Sequence, residues 1–176
     1  MELIAFVGRK FSGKSTAARH TRNTHEKSSA LESLATPIKE HVRKIFGPLE
    51  KTPKEILRPV MQTLGEALKQ KFGKTIFVDE LHYRTTITEN PVDLVVIDDV
   101  RFDFEADYVR NQGGYVIRII RPSTDDSGDT HVSETSMDNI KADATIINDA
   151  GLEVFLQRVT NTLERLRDYG DRTNQQ

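Results

Sequence analysis

The chain contains no cysteine. That excludes disulfides, thiol nucleophiles and cysteine-ligated zinc, and it fits a reducing cytoplasm. No apolar run approaches the length needed to span a bilayer, and the N-terminus lacks the basic-then-apolar order of a signal peptide. An excess of basic charge is missing too: 25 Lys and Arg stand against 27 Asp and Glu, a formal net charge of −2. Broad nucleic-acid binding normally shows a basic face, so this balance argues against it and leaves room only for a small local basic pocket. No internal repeat and no domain linker interrupts the 176 residues. A chain of this size buries roughly 70% of its unfolded surface in one core. The expectation is a single soluble, intracellular domain over 1–176 that does not engage membranes.

What is present begins eight residues in. Gly8 to Ser15 read G-R-K-F-S-G-K-S, a complete G-x-x-x-x-G-K-[ST] phosphate-binding loop. In such a loop successive backbone N–H groups cradle a phosphate, the lysine reaches the β- and γ-phosphates and the hydroxyl ligates Mg²⁺. Leu3 to Val7 form a short apolar run of buried-strand type, and Thr16 to His20 can continue as a helix. A helix there aims its positive end at the phosphates. Gly8, Lys10, Phe11, Ser12, Gly13, Lys14, Ser15 and Thr16 are the expected triphosphate-binding residues, with Ser15 on the metal.

Apolar runs then alternate with helical patterns, which predicts a parallel sheet covered by helices on both faces. Ser28 to Leu34 form a weak strand candidate. Thr36-Pro37 opens a helix that closes at Gly47-Pro48. Thr52-Pro53-Lys54-Glu55 reads as a capping box before a helix that Pro59 should kink or restart near Arg58. Leu94 to Ile97 is the clearest buried strand and ends at Asp98-Asp99. A helix on Phe102, Ala106 and Val109 stops at Gly113-Gly114; Tyr115 to Ile120 and Ala144 to Ile147 are further strands. A terminal helix starts at Leu152, and Asp168 to Gln176 is read as a frayed polar tail. The polar stretch 121–137 reads as a mobile loop.

A phosphate loop alone does not choose a reaction. No N-K-x-D guanine-reading motif is present, and no second domain of the kind motors and helicases need. A small-molecule kinase remains. It needs an acid at the end of a neighbouring strand to hold the metal's water or orient the acceptor, and cations for the phosphates. Val95-Val96-Ile97-Asp98-Asp99-Val100-Arg101 supplies both at the edge where open α/β sheets bind ligands. Asp99 and Arg101 are the favoured pair; Asp98 is as readily a cap for the next helix. Lys14, Asp99 and Arg101 make up the expected catalytic set. Glu105, four residues past Arg101, can orient it or stabilise a helix N-terminus.

Taken together, the chain resembles the phage-type deoxynucleoside monophosphate kinases of the nucleoside-monophosphate-kinase branch. The resemblance covers nearly the whole chain. It rests on the loop at Gly8 to Thr16, Ala35 to Lys39, Leu57-Arg58 with Met61-Gln62 and Leu64-Gly65, and Asp99 to Phe102 with Glu105-Ala106. It continues through Gly113-Gly114, Ile117-Arg118 and Arg121-Pro122 to His131 to Glu134 and Ile147 to Asp149. The family usually has Pro-Asn where this chain has Asp103-Phe104.

The resemblance implies a P-loop NTPase three-layer sandwich: a five-stranded parallel sheet flanked by helices, with a nucleotide-acceptor region over about 36–90 and a lid over about 122–136. It implies ATP as donor, Mg²⁺, a deoxynucleoside monophosphate as acceptor, the host cytoplasm for a phage protein, and favours a homodimer. Arg101 would grip the acceptor's 5′-phosphate with its guanidinium fork, and Asp99 would stand in the metal's outer shell or near the acceptor phosphate. Lys39, Arg58 and Gln62 would face the acceptor; Arg118, Arg121, His131 and Glu134 would serve the phosphates and the substrate. His131 and Glu134 are too few to hold a metal by themselves. Asn148 and Asp149 would pass near the adenine, although the residues alone read as a turn and helix cap. Other acceptors, such as dephospho-coenzyme A or phosphomevalonate, and an ATP-dependent switch are the competing readings.

Overall fold

The computed structural model describes residues 1–48, 51–87, 91–122 and 136–173. They divide into two compact units, Met1–Leu31 with Val92–Gln176, and Glu32–Pro91.

The first unit is built on a sheet of strands β1 (Glu2–Val7), β2 (Ser29–Glu32), β3 (Leu94–Ile97), β4 (Tyr115–Ile120) and β5 (Ala144–Ile147), in the order β2-β3-β1-β4-β5. The pairings of β1 with β3, β1 with β4 and β4 with β5 are parallel. β1 lies in the middle, and Leu3 to Val7 are all buried. A central strand covered on both faces has no reason to alternate, which is why its sequence is an unbroken apolar run. Side chains still point alternately. Ile4, Phe6, Leu94, Val96, Ile117, Ile119 and Ile146 share one face, where Ala17 and Ala18 of helix α1 (Lys14–Thr24) and Phe155, Val159 and Leu163 of the terminal helix pack. The register agrees, pairing Ile4 with Val96, Phe6 with Ile117 and Ile119 with Ile146. A helix at Asp103–Asn111 contacts β1 and β4 and buries Ala106 and Val109. A Cβ on Gly114 would fall beside both Leu3 and Val109, which puts this helix over the opposite face of the sheet.

Among its described residues the second unit holds helices α2 (Thr36–Phe46), α3 (Lys54–Phe72) and α4 (Ile76–Thr86). α3 contacts both α2 and α4, and Ile38, Val42, Leu57, Phe77, Val78 and Leu81 are buried. Arg84 holds Glu32 and Glu80, and the Ser33 carbonyl. The helix at Asp103–Asn111 is α5 and that at Leu152–Thr173 is α6.

Four expectations change. α3 runs through Pro59 without restarting; Pro59 lies early in the helix and forfeits only the bond its missing N–H would give Glu55. The Thr52 capping box is not made. Pro53 is the N-cap, with φ −54° and ψ 136°, and its carbonyl accepts from Ile56 and Leu57; Glu55 is thereby one place short of the position a capping box requires. α4 has no counterpart among the expected elements. The C-terminal helix continues to Thr173, past the expected frayed start at Asp168, and Tyr115 Oη donating to the Leu166 carbonyl (2.9 Å) anchors its later turns.

The starts of β2 and β3 are stapled together. Ser28 Oγ donates to Asp93 Oδ2 (2.7 Å), and the Ser28 carbonyl accepts from the N–H groups of Asp93 and Leu94. Among the described residues no helix is long and apolar enough to cross a membrane.

Candidate active site

The phosphate loop joins β1 to α1 at the carboxyl edge of the central strand. Gly8 (φ 149°) and Gly13 (φ 113°) take backbone conformations that side-chain-bearing residues rarely adopt. A Cβ on Gly8 would stand 2.3 Å from the Ile119 carbonyl oxygen, and one on Gly13 2.7 Å from Asn148 Nδ2. Phe11, at the tip, is left-handed as well (φ 64°), 71% exposed, with Lys10 Nζ 4.8 Å from its ring centre. Ser12 is only 1% exposed, and its N–H donates to the Arg9 carbonyl.

α1 begins here with Gly13 as N-cap, no side-chain cap and no acidic residue in its first turn. The positive end of the helix therefore meets no competing carboxylate of its own. Lys14 Nζ donates to the Gly8 carbonyl (2.6 Å) and the Arg9 carbonyl (2.8 Å). The ammonium thus rests on the loop itself, beside the backbone that would cradle a phosphate.

Ser15 Oγ donates to Asp98 Oδ2 at 2.7 Å. The acid beside the Ser15 hydroxyl is Asp98, the neighbour of the Asp99 that the sequence favoured. Side-chain parity explains it. Leu94 and Val96 face α1, and Asp98 continues that alternation. Asp99 follows on the other parity. A hydroxyl and a carboxylate are hard oxygen donors of the kind Mg²⁺ takes, usually with one or two carboxylates and several waters, so the pair fits that ion. Among the described residues no cluster of three or more His, Cys, Asp or Glu offers a metal cage.

Arg101 lies between β3 and α5, half-buried. Glu105, 5% exposed, accepts the N–H of Arg101 (2.7 Å) and of Phe102 (3.1 Å) on one carboxylate oxygen. These bonds anchor the start of α5 and with it the backbone of Arg101. The Asp103-Phe104 departure is accommodated there: α5 starts at Asp103, and the rings of Phe102 and Phe104 stack at 5.6 Å. Arg118 donates to the Ile140 carbonyl (2.5 Å), just after the 3-10 turn at Ser136–Asn139, and Arg121 is exposed just beyond β4.

Asn148, at the end of β5, donates its side-chain N–H to the Ser12 carbonyl (2.8 Å), a contact the sequence did not suggest. Asp149 pairs with Arg158 (2.7 Å); that hydrogen bond holds its carboxyl below the usual carboxylate range, against a smaller opposing effect of burial. In the second unit Lys39 is exposed and donates to Ser33 Oγ (2.9 Å). Arg58 and Gln62 are partly buried, one helical turn apart on the unbroken α3. The expected lid, about 122–136, lies outside the described residues except for Pro122 and Ser136, and His131 and Glu134 fall within that gap.

Residues 48–159 match the family model described as deoxynucleotide monophosphate kinase. A protein of Acanthamoeba polyphaga mimivirus bearing that name is 32% identical over 191 aligned residues, which cover 93% of this chain and 97% of the viral one. The deoxynucleotide monophosphate kinase of Enterobacteria phage T4 is 32% identical over 113 residues, covering 62% of this chain and 46% of the phage protein. Among solved structures, the dephospho-CoA kinase of Campylobacter jejuni superposes with a TM-score of 0.52 at 16% identity, covering 94% of this chain and 98% of its own. The shikimate kinase of Acinetobacter baumannii does so at 0.51 and 14%, covering 96% and 94%. These two similarities show the fold, a P-loop kinase sandwich, and nothing of the acceptor.

Proposed function

The chain belongs to the deoxynucleotide monophosphate kinase family, and from that premise we propose that it transfers the γ-phosphoryl group of ATP to a deoxynucleoside monophosphate, giving ADP and the deoxynucleoside diphosphate. The observation that carries the reading is the Ser15–Asp98 contact of 2.7 Å next to Lys14 at the uncapped start of α1. It joins a phosphate cradle to a hydroxyl–carboxylate pair suited to Mg²⁺, as a triphosphate donor requires.

In this reading Lys14 leaves the carbonyls of Gly8 and Arg9 and spans the β- and γ-phosphates. The loop amides and the first turn of α1 hold the phosphate oxygens. Ser15 and Asp98 would hold Mg²⁺, which would supply positive charge against that of the triphosphate. Arg101, its backbone fixed by Glu105, grips the acceptor phosphate bidentately. Asp99 orients groups around that phosphate; no strong base is needed, because a phosphate monoester is largely dianionic near neutral pH. Lys39, Arg58 and Gln62 hold the acceptor nucleotide, and Arg121 the transferring phosphates. Catalysis is then chiefly positioning and charge stabilisation.

The test is a coupled assay for ADP with each deoxynucleoside monophosphate in turn. ADP release well above the rate with ATP alone, for at least one acceptor, is the expected result. The same slow release with and without every acceptor would end the kinase assignment in favour of a hydrolytic switch.

A further inference from the structure

Asn148 reaches the phosphate loop from the far side of the sheet, and everything around it is arranged to keep it there. It follows β5, and its backbone N–H donates to the Ile120 carbonyl (2.7 Å), carrying the β4–β5 ladder one step past the Ile120–Ile147 pair. Arg158 of α6 bonds the residues on either side, the Ile147 carbonyl and Asp149 Oδ1. The side-chain amide then donates to the Ser12 carbonyl at 2.8 Å, on a residue only 1% exposed. A carbonyl can only accept, so the amide nitrogen is the group that faces it. Space is matched as closely as polarity: a Cβ on Gly13 would lie 2.7 Å from that nitrogen and 3.2 Å from the Phe155 ring.

We infer that Asn148 is a positioning residue that fixes the Ser12–Gly13 peptide, and so aims the amides at the start of α1 toward the phosphates, and that it does not read the donor's base. The inference rests on the triphosphate-binding role given to the loop above. It reassigns Asn148 from the adenine side of the donor to its phosphates. The Ser12–Gly13 peptide is the link through which it acts: Gly13 caps α1 and its carbonyl accepts from Thr16 and Ala17. A tilt of that peptide turns the loop where Lys14 begins.

Donors that share phosphates and differ in base separate the two roles. Binding of MgATP, MgGTP and magnesium tripolyphosphate to the wild type and to Asn148→Ala is measured by calorimetry, alongside thermal melting. The expected result is a similar loss for all three ligands, about tenfold, from one hydrogen bond to a buried carbonyl, with the affinity for the deoxynucleoside monophosphate and the melting temperature little changed. A loss confined to ATP would overturn the inference by showing a contact to the base; so would no loss at all. If Asn148→Ala does not fold, Asn148→Ser, which keeps a small polar side chain in the turn, takes its place with the same expectations. Amide hydrogen exchange in the ligand-free variant gives a second reading: exchange at Gly13, Lys14 and Ser15 should quicken while that of β1 stays fixed, and unchanged exchange at these three would also overturn the inference. A wild type that phosphorylates no deoxynucleoside monophosphate would defeat the proposed reaction, yet the tripolyphosphate and exchange measurements would still decide the role of Asn148.

Discussion

On the proposed roles, two adjacent aspartates divide the work at the end of β3. Asp98 stands two residues past Val96, which packs with Ala17 and Ala18, and meets Ser15 at 2.7 Å; Asp99 follows it on the opposite parity of the chain. Asp98→Asn should therefore raise the Mg²⁺ concentration needed for half-maximal turnover and lower turnover about 10- to 100-fold. Asp99→Asn should leave the Mg²⁺ requirement near normal, and a metal titration of both variants checks this. Lys14→Ala, which removes the ammonium from the phosphates, should lower turnover by about a hundredfold or more while the circular dichroism stays native. The loop itself was legible at once, because G-x-x-x-x-G-K-S specifies backbone shape as well as side chains. The choice between Asp98 and Asp99 was not. A run such as Leu94 to Ile97, apolar on both faces, carries no visible alternation, so only the register of β3 against β1 and the packing of α1 reveal which way each acid points.

At the level of elements, strands buried on both faces were read nearly to the residue, since unbroken apolar runs bounded by polar turns leave little choice. α4 escaped notice because its buried residues Phe77, Val78, Leu81 and Thr85 are aromatic or β-branched apart from one leucine, poor advertisements for a helix. The turn between β5 and α6 was read as a cap, and its reach to Ser12 depends on contacts far apart in sequence. Two predictions belong here. Gly13→Ala forces a Cβ into Asn148 and Phe155 at a positive φ, and should cost about 2 kcal/mol or more of stability, read from the denaturant midpoint at constant slope. The Asp149–Arg158 pair sets a pH window. Because the carboxyl of Asp149 is lowered in the folded protein, its contribution is complete above the ordinary value of 3.8 and is lost as pH falls through the lowered one. Carboxyl titration by NMR should give a midpoint below 3.8 that returns toward it in Arg158→Gln, with no effect near neutrality.

For the whole molecule, the proposed roles separate by unit. Donor groups Lys14, Ser15 and Asp98 belong to Met1–Leu31 with Val92–Gln176, and the acceptor candidates Lys39, Arg58 and Gln62 to Glu32–Pro91. Arg58→Ala and Gln62→Ala should accordingly raise the KM for the deoxynucleoside monophosphate about tenfold or more, and leave ATP affinity within about twofold, by equilibrium binding in the absence of acceptor. The staple of Ser28 on Asp93 and Leu94 gives this division a further meaning. Ser28 leads into β2 and Asp93 into β3, so the staple ties the starts of two sheet strands, and the 60 residues of Glu32–Pro91 depart at the end of β2 and return just before Asp93. On the proposed roles, changes confined to Glu32–Pro91 should alter the acceptor contacts while Lys14, Ser15 and Asp98 keep their places.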